Sequence, residues 1–413
     1  MQSTSQPLAD FKVIDLTHGI AGPYATKLLA DYGAEVLKVE RPPSGDPART
    51  AGPFPHHEEH PEKSGLFLLL NTNKQSIVVD LKQPQGTAIL KSLVANADLI
   101  VENFRPGVMA NLGLGYETLS AINPKLTFTS ISNFGQTGPY RDYRASELTL
   151  FAMGGVMNRN GLLGRPPLKL GGNHVQYQAG NIAAMASMFS LFNVKHQGAQ
   201  GQHIDVSIFE TQTASYNARM PMLLQYQYTG ERTPRVDTPG AAGFGYPAGF
   251  YPCQDGYVNI TGGGAFWPRT VALLGMPELL NDPRFAPPMG QVSAEGREIF
   301  ETEIWLPWLL QRTKLQVVEE CQEHEILSGA FNTIDEVMDQ NPQFEARNYW
   351  QTIQHPEAGE FRYPGAPSFT TEGWWKVRTP APLLGEHTKS VLAGSLGYSD
   401  TSILELLSSG IVS

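Results

Sequence analysis

A chain of 413 residues is long enough for two domains and a large buried core. With 41% hydrophobic and 17% charged residues its composition is globular, and a net charge of −10 excludes a general electrostatic footprint for nucleic acid or anionic lipid. An anionic ligand would need a local basic pocket set against that overall field. The two cysteines, Cys253 and Cys321, stand far apart, outside any metal-ligand spacing, and read as free thiols of a reducing compartment. Met1 to Asp10 is polar without a basic-then-apolar leader pattern, and no run approaches the ~20 apolar residues of a membrane span. A soluble cytoplasmic protein without nucleic-acid or membrane partners is expected.

The first third alternates strands with helices. Val13–Leu16, Ala34–Val39, Ile77–Leu81, Leu99–Val101 and Leu126–Ile131 read as apolar strands, with helical stretches at Tyr24–Tyr32, Gln85–Ala95 and Tyr116–Ile122 between them. That order predicts an α/β fold with a largely parallel sheet and crossover helices on its faces. Six prolines between Pro42 and Pro61 make 41–66 an irregular loop. Its His56-His57-Glu58-Glu59-His60 run lacks helical i, i+4 presentation and reads as solvated surface, not a metal site. Asn181–Val194 is a strongly apolar helix whose Met185, Met188, Phe189 and Phe192 read as core packing, followed by a strand at His203–Ile208. The Gly/Pro-rich 229–250 stretch predicts a linker to a small domain with helices at Trp267–Leu274 and Glu298–Gln311. The expected division is therefore 1–228 for the large domain, 229–331 for linker and small domain, and 332–413 for a return with an extended arm at Phe361–Pro382.

Three glycine-rich segments could present backbone N–H groups to a ligand: Gly19–Pro23, Gly135–Pro139 and Gly262-Gly263-Gly264. Taken singly, each reads as a turn. There is no G-x-G-x-x-G fingerprint, P-loop or G-x-S-x-G elbow. His18, just past the first strand, stands where open α/β sheets contact ligands, or else caps a turn. Lys38, Arg41 and Arg105 at or beyond strand ends suit phosphate, against the ordinary alternative of a solvated surface.

Together these segments resemble the class III CoA-transferase family (CaiB/BaiF), the group of formyl-CoA and benzylsuccinate CoA-transferases, nearly end to end. The resemblance runs through Val13-Ile14-Asp15-Leu16-Thr17, Ala21-Gly22-Pro23 and Leu29 to Glu40, then Gly45-Asp46 and Arg49. It continues in Asn71-Thr72-Asn73-Lys74, Glu102-Asn103-Phe104-Arg105-Pro106-Gly107, Gly135-Gln136-Thr137-Gly138-Pro139-Tyr140, Gly201-Gln202-His203-Ile204-Asp205-Val206-Ser207 and Asp255-Gly256-Tyr257-Val258. It implies a Rossmann-like large domain with an inserted small α/β domain, in interlocked dimers. It further implies coenzyme A as substrate, contacted by His18, Ala21, Arg41, Asn103, Phe104 and Arg105, with Lys38 a weaker candidate. No metal is implied.

Family transferases use an aspartate that attacks the acyl-CoA thioester, giving a mixed anhydride and CoA thiolate, then an enzyme thioester from which the incoming acid accepts CoA. The glycine loop Gly262–Gly264 would stabilise the oxyanions. This chain departs at that aspartate. The family's Asp-Tyr-x-Ala-Gly context reads Gln176-Tyr177-Gln178-Ala179-Gly180, and an amide cannot form the anhydride. The racemase branch fares no better, since it shares that aspartate and its histidine position falls at Ser146. Three readings stay open: a non-catalytic subunit of a heteromeric enzyme whose paralogue carries the aspartate, alone or beside a homodimer alternative; another carboxylate, Glu147, in the nucleophile's place; or Gln176 orienting a thioester carbonyl with His174 as acid or base, the last extending to racemase, isomerase or lyase chemistry. Phe151, Tyr177, Phe244, Tyr246 and Trp267 hint at a bulky acid.

Overall fold

The computed structural model describes residues 6–214, 219–232, 235 and 245–413. Six strands, β1 (Lys12–Asp15), β2 (Glu35–Glu40), β3 (Lys74–Val78), β4 (Leu99–Glu102), β5 (Thr127–Ser132) and β6 (His203–Ser207), form one sheet in the order β3-β2-β1-β4-β5-β6. Every pair is parallel. Parallel strands need crossovers, and helices α1 (Ala21–Asp31), α2 (Pro84–Val94), α3 (Tyr116–Ile122), α4 (Glu147–Met153) and α5 (His174–Gln197) lie in them, while α6 (Ile208–Ala214) follows the last strand. Alternate residues along each strand face opposite layers. Val13, Val36, Val101 and Ile131 pack with α1 and α5, whereas Ile14, Leu37, Ile100 and Phe128 pack with α2, α3 and the C-terminal helices.

Strand order reverses between β1 and β4, so the loops after these two strands diverge and leave a crevice at their C-terminal ends. The free edge of β3 is covered by the returning C-terminus. His387 Nδ1 accepts the Ser76 N–H at 3.3 Å and Thr388 Oγ1 accepts the Val78 N–H at 3.1 Å, which satisfies donors that an open edge would expose.

Helix α5 begins at His174, seven residues before the apolar pattern announces it. Gly180 hides the signal, because glycine ordinarily disfavours a helix interior. Here a Cβ at 180 would stand 2.6 Å from the Ala21 carbonyl oxygen, so only glycine lets α5 cross the first turn of α1 so closely. A second face of α5 meets the sheet through paired hydroxyls, Ser187 with Thr129 and Ser190 with Thr127, each at 2.8 Å. Its outer face corrects the expectation of core packing: Met185, Phe189 and Phe192 are exposed, and only Met188 packs against the core cluster.

The chain divides into two compact units, Met1–Met157 with Lys169–Arg232 and Arg347–Ser413, and Asn158–Leu168 with Thr233–Ala346. The return therefore falls at Arg347, not 332, because the short helices Ile334–Asp339 and Pro342–Ala346 stay with the second unit. That unit carries an antiparallel sheet of β7 (Ala248–Cys253), β8 (Gly256–Thr261) and β9 (Leu327–Ala330) over an aromatic core including Tyr246, Trp267, Phe300 and Trp305. The helix expected over Glu298–Gln311 widens into a π-type turn at Phe300–Trp305 before Leu306–Leu309. Pro307, which has no N–H to donate back along the helix, accounts for the irregularity.

Candidate active site

The loop after β1 is built on buried charge. Asp15 is fully buried and accepts from the Thr17 N–H at 2.9 Å, from Thr26 Oγ1 at 2.7 Å and from Lys74 Nζ at 2.9 Å. Burial alone would raise its pKa, but the ammonium groups of Lys38 and Lys74 and the two threonine hydroxyls hold it far below the usual carboxylate range. Asp46 extends the lattice: one oxygen accepts from the Gly19 and Ala48 N–H groups, the other pairs with Lys38 Nζ at 2.9 Å. Arg49 in turn grips Glu40 with two parallel bonds of 2.8 Å. The Gly45-Asp46 and Arg49 signature thus sets the shape of the ligand-facing loop from underneath.

The loops after β1 and β4 are clamped to each other. Asn103 Oδ1 accepts the His18 N–H at 2.9 Å while Asn103 Nδ2 donates to the His18 carbonyl at 2.7 Å. The His18 and Phe104 rings meet edge-on with centroids 5.5 Å apart. Burial, with Lys38 nearby, lowers the His18 pKa, so its imidazole is neutral at pH 7. Below this clamp Glu102 is buried, with Oε2 accepting the Phe104 N–H at 2.8 Å. Burial raises its carboxyl to about 7, against hydrogen bonds from Ser130 and Phe104 that lower it and with Asp205 adding to the rise.

Beside this clamp lies a cavity of about 660 Å³. Asn103, Phe104 and Arg105 line one side, Ile131 and Ser132 its floor, Arg141–Ala145 another wall, and Gln176 from the first turn of α5 closes it. The sole carboxylate on its wall among the described residues is Asp142, which is already paired with Arg141 at 3.1 Å. Ser132 Oγ is buried without a hydrogen-bond partner among the described residues, an unmet demand that a ligand oxygen would satisfy.

The structure brings four predicted residues, Asn103, Phe104, Arg105 and Gln176, to one cavity. His18 adjoins it through Phe104. Arg41 is exposed at the end of β2, and Ala21 is buried where α1 meets α5; neither lines the cavity. Lys38 requires correction as a coenzyme contact. Its ammonium is fully buried, donating to the Thr17 carbonyl at 2.8 Å and paired with Asp46, so it shapes the loop from inside.

Glu147 and Ser146 serve as helix caps. Glu147 Oε1 accepts the Val175 N–H at 2.9 Å in the first turn of α5, while Ser146 and Thr149 form a reciprocal capping box on α4. Glu147 therefore ties the 144–147 segment to the turn that carries Gln176. His174 opens that turn, half-buried.

The glycine loop also requires correction as a ready oxyanion site. The Gly262 and Gly263 N–H groups donate to the Pro247 carbonyl, and that of Gly264 to Gln291 Oε1 at 3.0 Å. Its glycines are required by packing inside the second unit, where a Cβ at 263 would stand 2.5 Å from the Gly245 carbonyl carbon. Of the aromatics, Phe151, Tyr246 and Trp267 are core, Tyr177 packs edge-on against Tyr24, and Phe244 lies outside the described residues. Arg141, Arg144 and Ser132 went unrecognised as wall residues. The stretch after Gly138 carries no periodic signal, and only the fold of the loop brings Arg141, Tyr143 and Arg144 to the cavity rim.

Residues 8–388 match the family model of CoA-transferase family III. The chain is 33% identical to succinyl-CoA–D-citramalate CoA-transferase of Chloroflexus aurantiacus, over 100% of this chain and 99% of that one. It is 32% identical to the BbsE subunit of succinyl-CoA:(R)-benzylsuccinate CoA-transferase of Thauera aromatica, over 98% of each. Among solved structures, a CAIB/BAIF family protein from Brucella suis superposes with a TM-score of 0.82 at 29% identity, covering 94% of this chain and 99% of that one.

Proposed function

The chain belongs to CoA-transferase family III, and from that premise we propose that it is the nucleophile-free subunit of a two-component enzyme moving CoA between an acyl-CoA and a carboxylic acid. An aspartate-bearing paralogue supplies the covalent step. The observation that carries this reading is Gln176 at the cavity wall, with Asp142 already ion-paired as the sole wall carboxylate among the described residues. A transferase nucleophile must attack a thioester carbonyl and leave as a carboxylate; an amide does neither at neutral pH. Glu147 is held as a helix cap, and the racemase position is filled by a capping serine.

Two further observations fit. A relative of nearly full-length similarity is by name a subunit, and the outer face of α5 presents Met185, Phe189 and Phe192 to be covered by another chain. The free, buried thiols of Cys253 and Cys321 suit a reducing cytoplasm, where acyl-CoA pools lie. Among the described residues no helix is long and apolar enough to cross a membrane.

The test is isotope-labelled CoA exchange between acyl-CoA donors and a panel of acids, followed by mass spectrometry. The native chain alone is expected to give no transfer, Gln176→Asp to restore it, and co-expression with the aspartate-bearing paralogue to give transfer that depends on both chains. Robust transfer by the native chain alone would overturn the subunit reading and return attention to Glu147 and His174.

A further inference from the structure

Glu102 is the last residue of β4, and the loop Asn103–Arg105 that borders the cavity starts directly from it. The register sets Glu102 beside Ser130 and Ser130 beside Asp205, with His203 two residues before Asp205 on the same face of the sheet. The Glu102 carboxyl is buried, and no cation among the described residues offsets its charge. Its partners are the Phe104 N–H at 2.8 Å and the Ser130 hydroxyl. Ser130 Oγ in turn meets His203 Nε2 at 2.9 Å. His203 is exposed, and stacking on Tyr116 with centroids 5.4 Å apart fixes its ring. The other charged groups nearby are Asp205 from β6, Glu117 from α3 beside His203, and Arg105 at the end of the loop. The short Val108–Asn111 helix carries none, and His18, across the Asn103 clamp, is neutral at pH 7. A buried acid joined through a hydroxyl to an exposed imidazole has a path for protons to solvent.

We propose that Glu102 is a proton-sensitive positioning residue for the ligand loop: neutral, it keeps Asn103–Arg105 closed against the His18 clamp, and ionised, it releases that loop and weakens ligand binding there. With the carboxylate ionised, His203 Nε2–H donates to Ser130 Oγ and the Ser130 hydroxyl donates to Glu102. A solvent proton taken up at His203 Nδ1 passes the Nε2 proton to Ser130 and the Ser130 proton to Glu102. The imidazole is left neutral, in its other tautomer. Glu102 does not line the cavity, so it acts through the Phe104 N–H. Two effects of opposite sign compete. An ionised carboxylate grips the Phe104 N–H harder, yet burial outweighs that bond, since the carboxyl is raised from 4.5 to about 7. Opening the loop brings the carboxylate to water and relieves the cost of burial. The closed loop is therefore most favoured below about 4.5, loses ground as pH rises, and levels off above about 7. The ligand is coenzyme A on the CoA-transferase reading, and the inference concerns its binding, not its transfer.

The experiment is hydrogen exchange of the Phe104 amide in the purified full chain, corrected for the intrinsic rate, beside calorimetric titration with dephospho-CoA. That probe lacks the 3′-phosphate, whose own titration would otherwise overlap the range. The opening constant of the loop should rise about tenfold between pH 6 and pH 8, most of it below about 7. Dephospho-CoA should bind about threefold more weakly at pH 8 than at pH 6. Glu102→Gln keeps an acceptor for Phe104 and should flatten both profiles. Two further variants shift the profile in opposite directions, which a merely structural Glu102 would not allow. Ser130→Ala removes a donor to the carboxylate and should carry the rise to higher pH. Asp205→Asn removes a repelling charge and should end it at lower pH. The inference is overturned if Phe104 exchange does not vary with pH beyond the intrinsic rate, or if Glu102→Gln keeps the native profile. It also falls if the Ser130 and Asp205 variants shift the profile the same way, or if dephospho-CoA binds equally at both pH values. A native chain that binds dephospho-CoA at neither pH overturns the transferase reading itself, a separate outcome, since the exchange profile is measured without ligand.

Discussion

Glu102 shows how a single side chain links the sheet to the ligand loop. Its carboxyl is buried at the end of β4, accepts the Phe104 N–H at 2.8 Å, and is raised to about 7 from an ordinary 4.5. As pH rises, the unfolded chain loses this proton first, so the folded state is relatively favoured below about 4.5, loses ground up to about 7, and is level above. A difference of that size corresponds to roughly 3 kcal/mol at most. Glu102→Gln keeps an acceptor for Phe104 and cannot ionise. Thermal melts across pH 4–8 should therefore show the native chain falling relative to Glu102→Gln between about pH 4.5 and 7. Parallel curves would mean the carboxyl titrates normally. Gln176 is the opposite case, a polar group on the cavity wall that does not ionise at all.

At the scale of the element, α5 decides where Gln176 stands, through contacts made one turn further along. Replacing glycine by alanine inside a helix ordinarily stabilises by about 1 kcal/mol. At Gly180 the sign should invert, because the new Cβ meets the Ala21 backbone oxygen at 2.6 Å and no rotamer change relieves it. Gly180→Ala is expected to cost about 1–3 kcal/mol in chemical denaturation; a more stable variant would mean α5 can shift freely on α1. The same contact explains what was legible in the sequence. β1, β2, β4 and β5 were readable because strands buried on both faces are short runs. β3 starts three residues before its predicted run, half-exposed β6 lies in a family block, and the helices Gly65–Leu70 and Glu147–Met153 were not read, while Asn103, Phe104, Arg105 and Gln176 came from the family blocks. The start of α5 was not readable, because its glycine is justified only by α1, remote in sequence. Nor could the role of Lys38 be read, since a lysine at a strand end looks the same whether it meets a phosphate or a buried Asp46. Gly262–Gly264 looked like an open cradle, and only the acceptors Pro247 and Gln291 reveal that its N–H groups are occupied.

At the scale of the whole molecule, two surface features bear on how this chain meets a ligand and another chain. One is the arginine-rich cavity, whose local charge runs against a net charge of −10 and can concentrate an anionic ligand in a way that salt would weaken. The other is the apolar row on α5. Met185, Phe189 and Phe192 recur at four and three residues, 51%, 66% and 57% exposed, on a helix fixed by the sheet on one side and α1 on another. A rigid row of large apolar side chains is costly in water and stabilising against a partner, by roughly 25 cal/mol for each Å² covered. Phe189→Asp places a charge in the middle of that row without touching the buried serine face. It should shift sedimentation velocity profiles of the assembled protein toward the single chain while leaving the circular dichroism spectrum of each chain unchanged. If the assembly of the Phe189→Asp variant persists at full strength, this face of α5 is not where chains meet, and the aspartate-bearing partner proposed above would have to approach from another side.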